Sequence, residues 1–214
     1  MRKLVIIGTG GHSKSVFGLA NSLDFEPRIF LDEYSDEKEF LGIKVESNLV
    51  NIPNFEDYFF VIAIGDPSQR KIVWEKLLNF IPSSRFPPII HRSAVVGQNS
   101  RIGFGTVVFP FSNIGPFAEV GNFCILNTAS DLEHDSKLGS FAALAPGAKV
   151  GGNVQIGTGS WIGMNASVKQ GITIGSDSII GANSYVDKSL LSNIVAYGTP
   201  AKIVRNRKPN EKFL

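Results

Sequence analysis

A histidine between two acids is the stretch of this chain best equipped for chemistry. The run "NTASDLEHDSKLG" places Glu133 and Asp135 on either side of His134. An imidazole oriented by a carboxylate is a general base, whereas the same residues in a solvated turn do no chemistry. Neighbouring residues of an extended strand point to opposite faces, so an adjacent acid orients the ring only where the chain turns a corner. The residue types leave both acids open as the partner.

The surrounding sequence repeats with a period of six. Every sixth residue from Ile90 to Val186 is aliphatic, and in most hexads a small residue follows four positions later. Neither a helix nor a simple alternating strand has this period. A short strand with one aliphatic inward residue, followed by a turn with one small inward residue, does. Three such sides form one coil, and coils stack at about 4.8 Å. The pattern therefore predicts a parallel β-helix, a column of roughly five coils.

The repeat locates the histidine within the predicted column. Leu132 is an inward residue, so His134, two places later, lies at the end of a strand and projects outward. The preceding hexad has Asn127 where glycine is common. Polar residues at these places in two consecutive hexads indicate a site rather than random surface, which favours the general base over the polar turn.

The first half reads as a small α/β unit. Strands are predicted over 3–8, 27–32 and 58–65, alternating with two helices, which implies a parallel sheet covered on both faces. Ligands of such sheets bind beyond the carboxyl ends of the strands. These ends carry the segment 8–12, Asp32 with Glu33, and Gly65 with Asp66, and all three sets should converge on one edge. The candidate binding residues among them are Gly10, Gly11, His12, Asp32, Glu33 and Gly65.

A dinucleotide site is disfavoured at this edge. The turn "GTGGHS" has Ser13 where the dinucleotide fingerprint has its third glycine, and only three strands are clear. Amide groups at the start of a helix still suit a phosphate or a sugar hydroxyl. The sequence thus disfavours a nicotinamide cofactor and leaves a nucleotide-like ligand open.

Composition excludes several classes of function. A net charge of +2 provides no basic surface for nucleic acid. The single cysteine, Cys124, fits a reducing cytoplasm and falls at a small inward position, which predicts a buried thiol. The apolar run after "MRK" is too short for a signal peptide or a membrane span, so we expect a soluble, cytoplasmic protein. One histidine within the repeat is too few for a three-histidine metal site, so no metal is expected.

Three regions are predicted: an α/β domain (1–88), the β-helix (89–192) and a C-terminal cap or tail (193–214).

Together the motifs resemble one family. The segments "IIGTGGHSK", "IIHRSA", "NTASDLEHD", "PGAKVGGNVQIG" and "GTPAK" are similar to those of the bacterial nucleotide-sugar acetyltransferases that finish bacillosamine, viosamine and perosamine, and of the related sialic-acid O-acetyltransferases. The resemblance implies a left-handed β-helix, a homotrimer, and acetyl-CoA as co-substrate. It also implies N-acetylation of a nucleotide-linked amino sugar for surface glycan or glycoprotein synthesis. The first candidate acceptor is a UDP-4-amino-4,6-dideoxy sugar. A sugar O-acetyltransferase and a non-catalytic trimeric scaffold are the alternatives.

The resemblance also assigns roles to single positions. It makes His134 the general base, and Asp135 the acid that raises the basicity of that histidine. Asn127 matches an asparagine near the acceptor, and the glycine turn with His12, Asp32, Glu33 and Gly65 matches the sugar-nucleotide contacts. Acetyl-CoA is expected in a groove between two columns, and the matching positions are Ala143, Gly152, Met164 and Ala182. Ala143 departs from the family, because many relatives have a histidine there.

Overall fold

The computed structural model describes residues 2–208 and 211. Its N-terminal part contains the strands β1 (Arg2–Ile7), β2 (Phe25–Leu31), β3 (Glu39–Phe40), β4 (Ile43–Glu46) and β5 (Phe59–Ile62). They form one sheet in the order β3-β4-β2-β1-β5, with β3 alone antiparallel to its neighbour. The helices are α1 (Gly11–Asn21) and α2 (Pro67–Leu77), with short 3-10 turns at Leu49–Asn51, Phe55–Asp57 and Ser83–Arg85.

The sheet differs from the three strands that the sequence predicts. The two additional strands, β3 and β4, form a hairpin that turns at Leu41 and Gly42, both with positive φ. They are too short to give a clear hydrophobic pattern, although β4 pairs in parallel with β2 and extends the sheet. β4 matters for the site because the loop that follows it borders the cavity described below.

The rest of the chain forms the predicted three-sided β-helix, built of two-residue strands that pair in parallel with a spacing of 18 residues. Face I contains β6 (Ile89–Ile90), β9 (Val107–Val108), β12 (Ile125–Leu126), β15 (Ala143–Leu144), β18 (Trp161–Ile162) and β21 (Ile179–Ile180). Face II contains β7 (Val95–Val96), β10 (Asn113–Ile114), β13 (Asp131–Leu132), β16 (Lys149–Val150), β19 (Ser167–Val168) and β22 (Tyr185–Val186). Face III contains β8 (Arg101–Ile102), β11 (Glu119–Val120), β14 (Lys137–Leu138), β17 (Gln155–Ile156) and β20 (Thr173–Ile174).

The hexad pattern has a simple physical origin. The second residue of each strand points into the column, and these aliphatic side chains form one continuous core with the small corner residues, Cys124 among them. Each corner between faces requires one residue in the left-handed conformation, at every sixth position from Asn99 to Asn183. Asn, Asp and Gly tolerate that conformation best, and they hold most of these positions.

The N-terminal domain packs on face I of the column. Outward residues of face I, including Ile89, Val107 and Ile125, share a core with α1 and the sheet. Trp74 of α2 contacts the rings of Phe104 and Phe123 at the corner between faces III and I. In a three-sided column, the corner between faces II and III lies opposite face I. The N-terminal domain and the II–III corner are therefore on opposite sides of one chain.

A hairpin follows the last coil of the column. β23 (Ile194–Gly198) continues face I in parallel with β21, and β24 (Ala201–Asn206) returns antiparallel to it. Ile194 and Ala196 are buried at the end of the column core, so the hairpin packs on the column as a cap. The last part of the predicted tail, residues 209–210 and 212–214, lies outside the described residues.

Candidate functional site

A cavity of about 680 Å³ opens at the carboxyl ends of the N-terminal strands. The six candidate binding residues all line it: Gly10, Gly11, His12, Asp32, Glu33 and Gly65. Asp66, expected at the same edge, instead caps the start of α2, where its Oδ1 accepts a hydrogen bond from the Gln69 amide (2.9 Å). The cavity is within the size range of small-molecule sites, and its other walls are mostly apolar. The structure therefore brings the predicted binding residues together, because parallel strands end on one side of their sheet.

The glycine turn leaves free space over the start of α1. A Cβ atom built on Gly10 or Gly11 meets nothing within 4 Å, so packing within the chain does not require glycine at either position. Gly8 is different, because its φ of 107° is a conformation that other residues rarely adopt. Gly10 caps α1 without a side-chain hydrogen bond, and the Ser13 amide donates to the Gly10 carbonyl (3.1 Å). The Gly11 and His12 amides before it are the ones that can donate to a ligand.

Two acids border the cavity in different ways. Asp32 holds the loops together: Oδ2 accepts hydrogen bonds from the Thr9 amide (2.9 Å) and hydroxyl (2.8 Å), and Oδ1 from the Tyr34 amide (3.0 Å). Glu33 forms an exposed ion pair with Lys76 of α2. The hydrogen bond from Lys76 lowers the pKa of Glu33. The Glu33–Lys76 pair thus connects the loop after β2 to the opposite wall of the cavity.

His12 lies where the cavity meets the column. Its ring is 5.7 Å from that of Phe109, measured between centroids, and its Nε2 atom is buried without a hydrogen-bond partner among the described residues. Burial, with a smaller contribution from the charge of Arg70, lowers the pKa of His12 to about 4. The imidazole is consequently neutral at physiological pH, and Nε2 is a polar atom without a protein partner.

His134 and Asp135 form the second group of candidate residues, at the II–III corner. Nδ1 of His134 is 2.8 Å from Oδ2 of Asp135, and both side chains are mostly exposed. Asp135 holds the left-handed corner position, with φ of 59°, so neighbouring residues can turn toward each other. Glu133 makes no hydrogen bond to the ring. Since the carboxylate only accepts, Nδ1 is the donor in this contact, and in a neutral ring Nε2 would then hold the lone pair that a general base requires.

The second ring nitrogen of His134 lies over Gly152 of the next coil. A Cβ atom at Gly152 would be 2.5 Å from Nε2 and 2.6 Å from Cε1, so the imidazole fills the space that a side chain would need. The Gly152 amide donates no hydrogen bond to an acceptor within the described part of the chain. The corner thus presents a lone pair and an unused N–H group on adjacent coils.

The remaining predicted residues are elsewhere on the column. Asn127, Met164 and Ala182 are at the corner between faces I and II, where the Asn127 amide group donates to the Leu144 carbonyl (3.3 Å). Met164 is about half exposed, and Ala182 lies one coil further along. Ala143 has no exposed surface, because face I is covered by the N-terminal domain at this point. Ala143 therefore offers no exposed surface to acetyl-CoA in a single chain, and the expected contact stays a prediction.

Within one chain, the residues that line the cavity and the His134–Asp135 pair do not form one site. The residues that line the cavity all belong to the N-terminal domain, which covers face I, whereas His134 is at the opposite corner. Nothing in the sequence pattern predicts this separation, because the hexads do not indicate which face the first domain covers.

Several residues of the cavity and its surroundings are not among the predicted ones. The cavity is also bordered by Tyr34, Lys76, Phe80 and the loop 47–50. Arg70 lies beneath its wall. The loop was missed together with β4. Lys76 and Arg70 resemble any other basic residues of an amphipathic helix, so the sequence gives no signal for them.

Cys124 is buried, as predicted. Burial raises the pKa of its thiol to about 12, so the thiol stays protonated and is not a nucleophile. Within residues 2–208 and 211, no three His, Cys, Asp or Glu side chains are grouped so that they could bind a metal ion. No helix in that part of the chain has the length and apolar character needed to span a membrane.

Two family models match separate segments of the chain. Residues 3–77 match the PglD N-terminal domain, and residues 153–188 match the bacterial transferase hexapeptide of six repeats. UDP-N-acetylbacillosamine N-acetyltransferase of Bacillus subtilis is 33% identical over 115 residues, which is 50% of this chain. That alignment spans 51% of the Bacillus protein, so the match covers about half the length of this relative.

Solved structures match nearly the whole chain. The acetyltransferase domain of PglB from Neisseria gonorrhoeae, in complex with acetyl coenzyme A, is 31% identical with a TM-score of 0.87; the match covers 95% of this chain and 99% of that one. PerB from Caulobacter crescentus, in complex with CoA and GDP-perosamine, is 29% identical with a TM-score of 0.83, over 95% and 97% of the two chains. These matches confirm the predicted fold, an α/β domain followed by a left-handed parallel β-helix.

Proposed function

We infer the activity of this chain from the family to which it belongs, the hexapeptide-repeat family of bacterial nucleotide-sugar acetyltransferases. We propose that it transfers the acetyl group of acetyl-CoA to the amine of a nucleotide-linked amino sugar, with His134 as the general base. The observation that carries this proposal is the ring of His134, held at Nδ1 by Asp135 with Nε2 directed over Gly152. The first candidate acceptor is a UDP-4-amino-4,6-dideoxy sugar, since the Bacillus relative is named for a UDP-linked sugar.

The proposed reaction is a direct transfer. The sugar amine attacks the carbonyl carbon of the thioester while Nε2 of His134 takes a proton from the amine nitrogen. The Gly152 amide donates to the oxyanion of the tetrahedral intermediate. When the intermediate collapses, the carbon–sulfur bond breaks, and the CoA thiolate receives the proton from the imidazolium. The products are the acetamido sugar and free CoA.

We further propose that the acting form is a homotrimer with its sites between copies. A single chain keeps the cavity and His134 on opposite sides, so a second copy must bring its cavity to the base. A groove between the II–III corner of one column and the I–II corner of the next would place His134 and Gly152 opposite Met164 and Ala182 of the partner copy. These positions fit an extended acetyl-CoA molecule lying along the column.

Exposed phenylalanines support such contact between columns. Phe111 and Phe117 occupy the I–II and II–III corners, in the left-handed conformation, and are 71% and 57% exposed. This conformation is strained for a bulky residue. The other two corner phenylalanines, Phe123 and Phe141, are buried against the N-terminal domain. The buried corner phenylalanines of this chain therefore pack against a neighbouring domain. For Phe111 and Phe117, the neighbour would be a second copy of the chain.

A panel of acceptors tests the proposed activity. Purified protein is mixed with acetyl-CoA and, in turn, UDP-, dTDP- and GDP-linked amino sugars and sialic acid, and thiol release is followed together with the mass of the product. We expect thiol release with at least one amino sugar and a product heavier by one acetyl group. Transfer to a sialic-acid hydroxyl instead would assign an O-acetyltransferase, and no transfer to any acceptor would leave a scaffold role.

A further inference from the structure

A buried arginine connects the cavity wall to the column. Arg70 of α2 is 1% exposed, and its guanidinium donates four hydrogen bonds, all to backbone carbonyls. Nη1 donates to the carbonyls of Ile64 and Gly65, each at 2.8 Å, and both of these residues line the cavity. The other two bonds go to the column: Nε to Phe123 (2.8 Å) and Nη2 to Phe141 (2.6 Å).

The two column carbonyls belong to successive coils. Phe123 and Phe141 are 18 residues apart at the III–I corner, and their rings stack with centroids 5.4 Å apart. Trp74, one helical turn after Arg70, packs on the ring of Phe123 at 4.7 Å. A planar guanidinium that reaches both bodies fixes their distance and their relative orientation, which a flexible ammonium group does not.

Arg70 satisfies four backbone carbonyls, but stability alone does not explain why one side chain serves both the cavity loop and the column. Burial lowers the pKa of Arg70 to about 10, so the charge is retained near neutral pH at a cost in desolvation. An apolar side chain of the same volume would avoid that cost but would leave four backbone carbonyls without the donor that Arg70 provides. An apolar side chain would also not hold the β5–α2 loop at a set position on the column. This loop forms one wall of the cavity.

We propose that Arg70 is a positioning residue: it fixes the acceptor cavity relative to the column, and Trp74 supports it. The inference rests on the proposed function, because position matters only if the cavity binds the acceptor and the column binds acetyl-CoA. A bound acceptor whose amine is displaced by about 1 Å from the thioester can lose about 100-fold in rate. Arg70 touches neither substrate in this account and acts through the loop that it holds.

The test compares Arg70→Lys and Arg70→Met with the wild type. Lysine keeps the charge but cannot donate to both bodies in a fixed plane, so we expect kcat/KM for the acceptor to fall at least about tenfold, and further for methionine. The KM for acetyl-CoA and the affinity for UDP, dTDP or GDP alone, measured by calorimetry, should stay close to the wild-type values. Lys71→Met, an exposed change on the same helix, is the control and should behave as the wild type.

Other outcomes have distinct meanings. Unchanged acceptor kinetics in a less stable Arg70→Lys protein would make Arg70 merely structural and overturn the inference. Loss of nucleotide affinity in parallel with activity would overturn it too. Arg70 would then act on binding within the cavity, and not on the position of the cavity relative to the column. If the Arg70 variants do not fold, Trp74→Leu loosens the same junction and should give the same kinetic signature; wild-type kinetics there would also contradict the proposal. A wild-type protein without transferase activity would instead refute the proposed function.

Discussion

At the scale of single residues, the site depends on the space between two coils. The imidazole of His134 occupies the volume that a side chain at position 152 would need. The ring is thus located by two constraints, the Asp135 carboxylate on one side and the bare Cα of Gly152 on the other. Gly115, one coil below, is needed for the same reason, because a Cβ there would be 2.5 Å from the His134 backbone nitrogen.

Gly152→Ala tests this constraint. The added methyl group meets only the end of a movable side chain, so the fold should survive while the imidazole is displaced from its place. We expect kcat to fall by about 10- to 100-fold, as a small misplacement of a catalytic group does. Gln170→Ala, one coil further along the same corner, is the matched control. Full activity of Gly152→Ala, with a crystal structure showing the ring undisplaced, would contradict the role given to this glycine.

The buried imidazole of His12 leads to a prediction about pH. Its pKa of about 4 in the folded protein is below the ordinary value of 6.5. The stabilisation is therefore complete above pH 6.5 and is lost as the pH falls toward 4, because the unfolded chain takes up the proton first. Between pH 7 and pH 5 this group should remove about 2 kcal/mol from the free energy of unfolding.

Urea unfolding of the wild type and of His12→Gln at both pH values measures this effect. The variant should lose about 2 kcal/mol less than the wild type over the same interval. Equal losses in the two proteins would show that His12 takes up its proton as readily in the folded state as in the unfolded state.

At the scale of elements, the start of α1 and the glycine turn before it form an open binding edge. Gly11→Val should raise the KM of the acceptor by at least about tenfold without lowering the melting temperature, since the new side chain meets only the ligand. Gly18→Val, on the same helix and also facing open space, should leave both kinetic constants unchanged. If Gly11→Val raises the KM of acetyl-CoA equally, the glycine turn is not the acceptor site.

The elements also show what a sequence can and cannot predict. The column was predictable because one aliphatic residue in six must point inward, and because a small residue must follow at the next turn. The set of residues at the cavity edge was predictable from the direction of parallel strands. The hairpin of β3 and β4, the junction made by Arg70, and the burial of Ala143 were not. The strands of the hairpin are too short to give a hydrophobic pattern. The Arg70 junction and the burial of Ala143 depend on which face of the column the first domain covers, and no local pattern encodes that choice.

At the scale of the whole molecule, association of copies is expected to complete the site. Phe111→Asn combined with Phe117→Asn should weaken the trimer, because it removes two exposed aromatic rings at the proposed interface. Asparagine adopts the left-handed conformation more readily, so the fold of each chain should be as stable as before. Sedimentation would show a shift to smaller species together with a loss of activity. Leu191→Ser, an exposed apolar residue away from these corners, is the control. A fully active monomer would disprove the shared site.

The most direct test of the account is the activity of His134→Ala. We expect kcat to fall by about 10²- to 10⁴-fold, the usual contribution of a general base. The fold, the trimer and the binding of both substrates should be retained, because the side chain projects from the column and its loss leaves no cavity. Asp135→Asn should cost less, since it weakens the orientation of the ring without removing the base. A His134→Ala protein that is trimeric, binds both substrates and turns over near the wild-type rate would contradict the account.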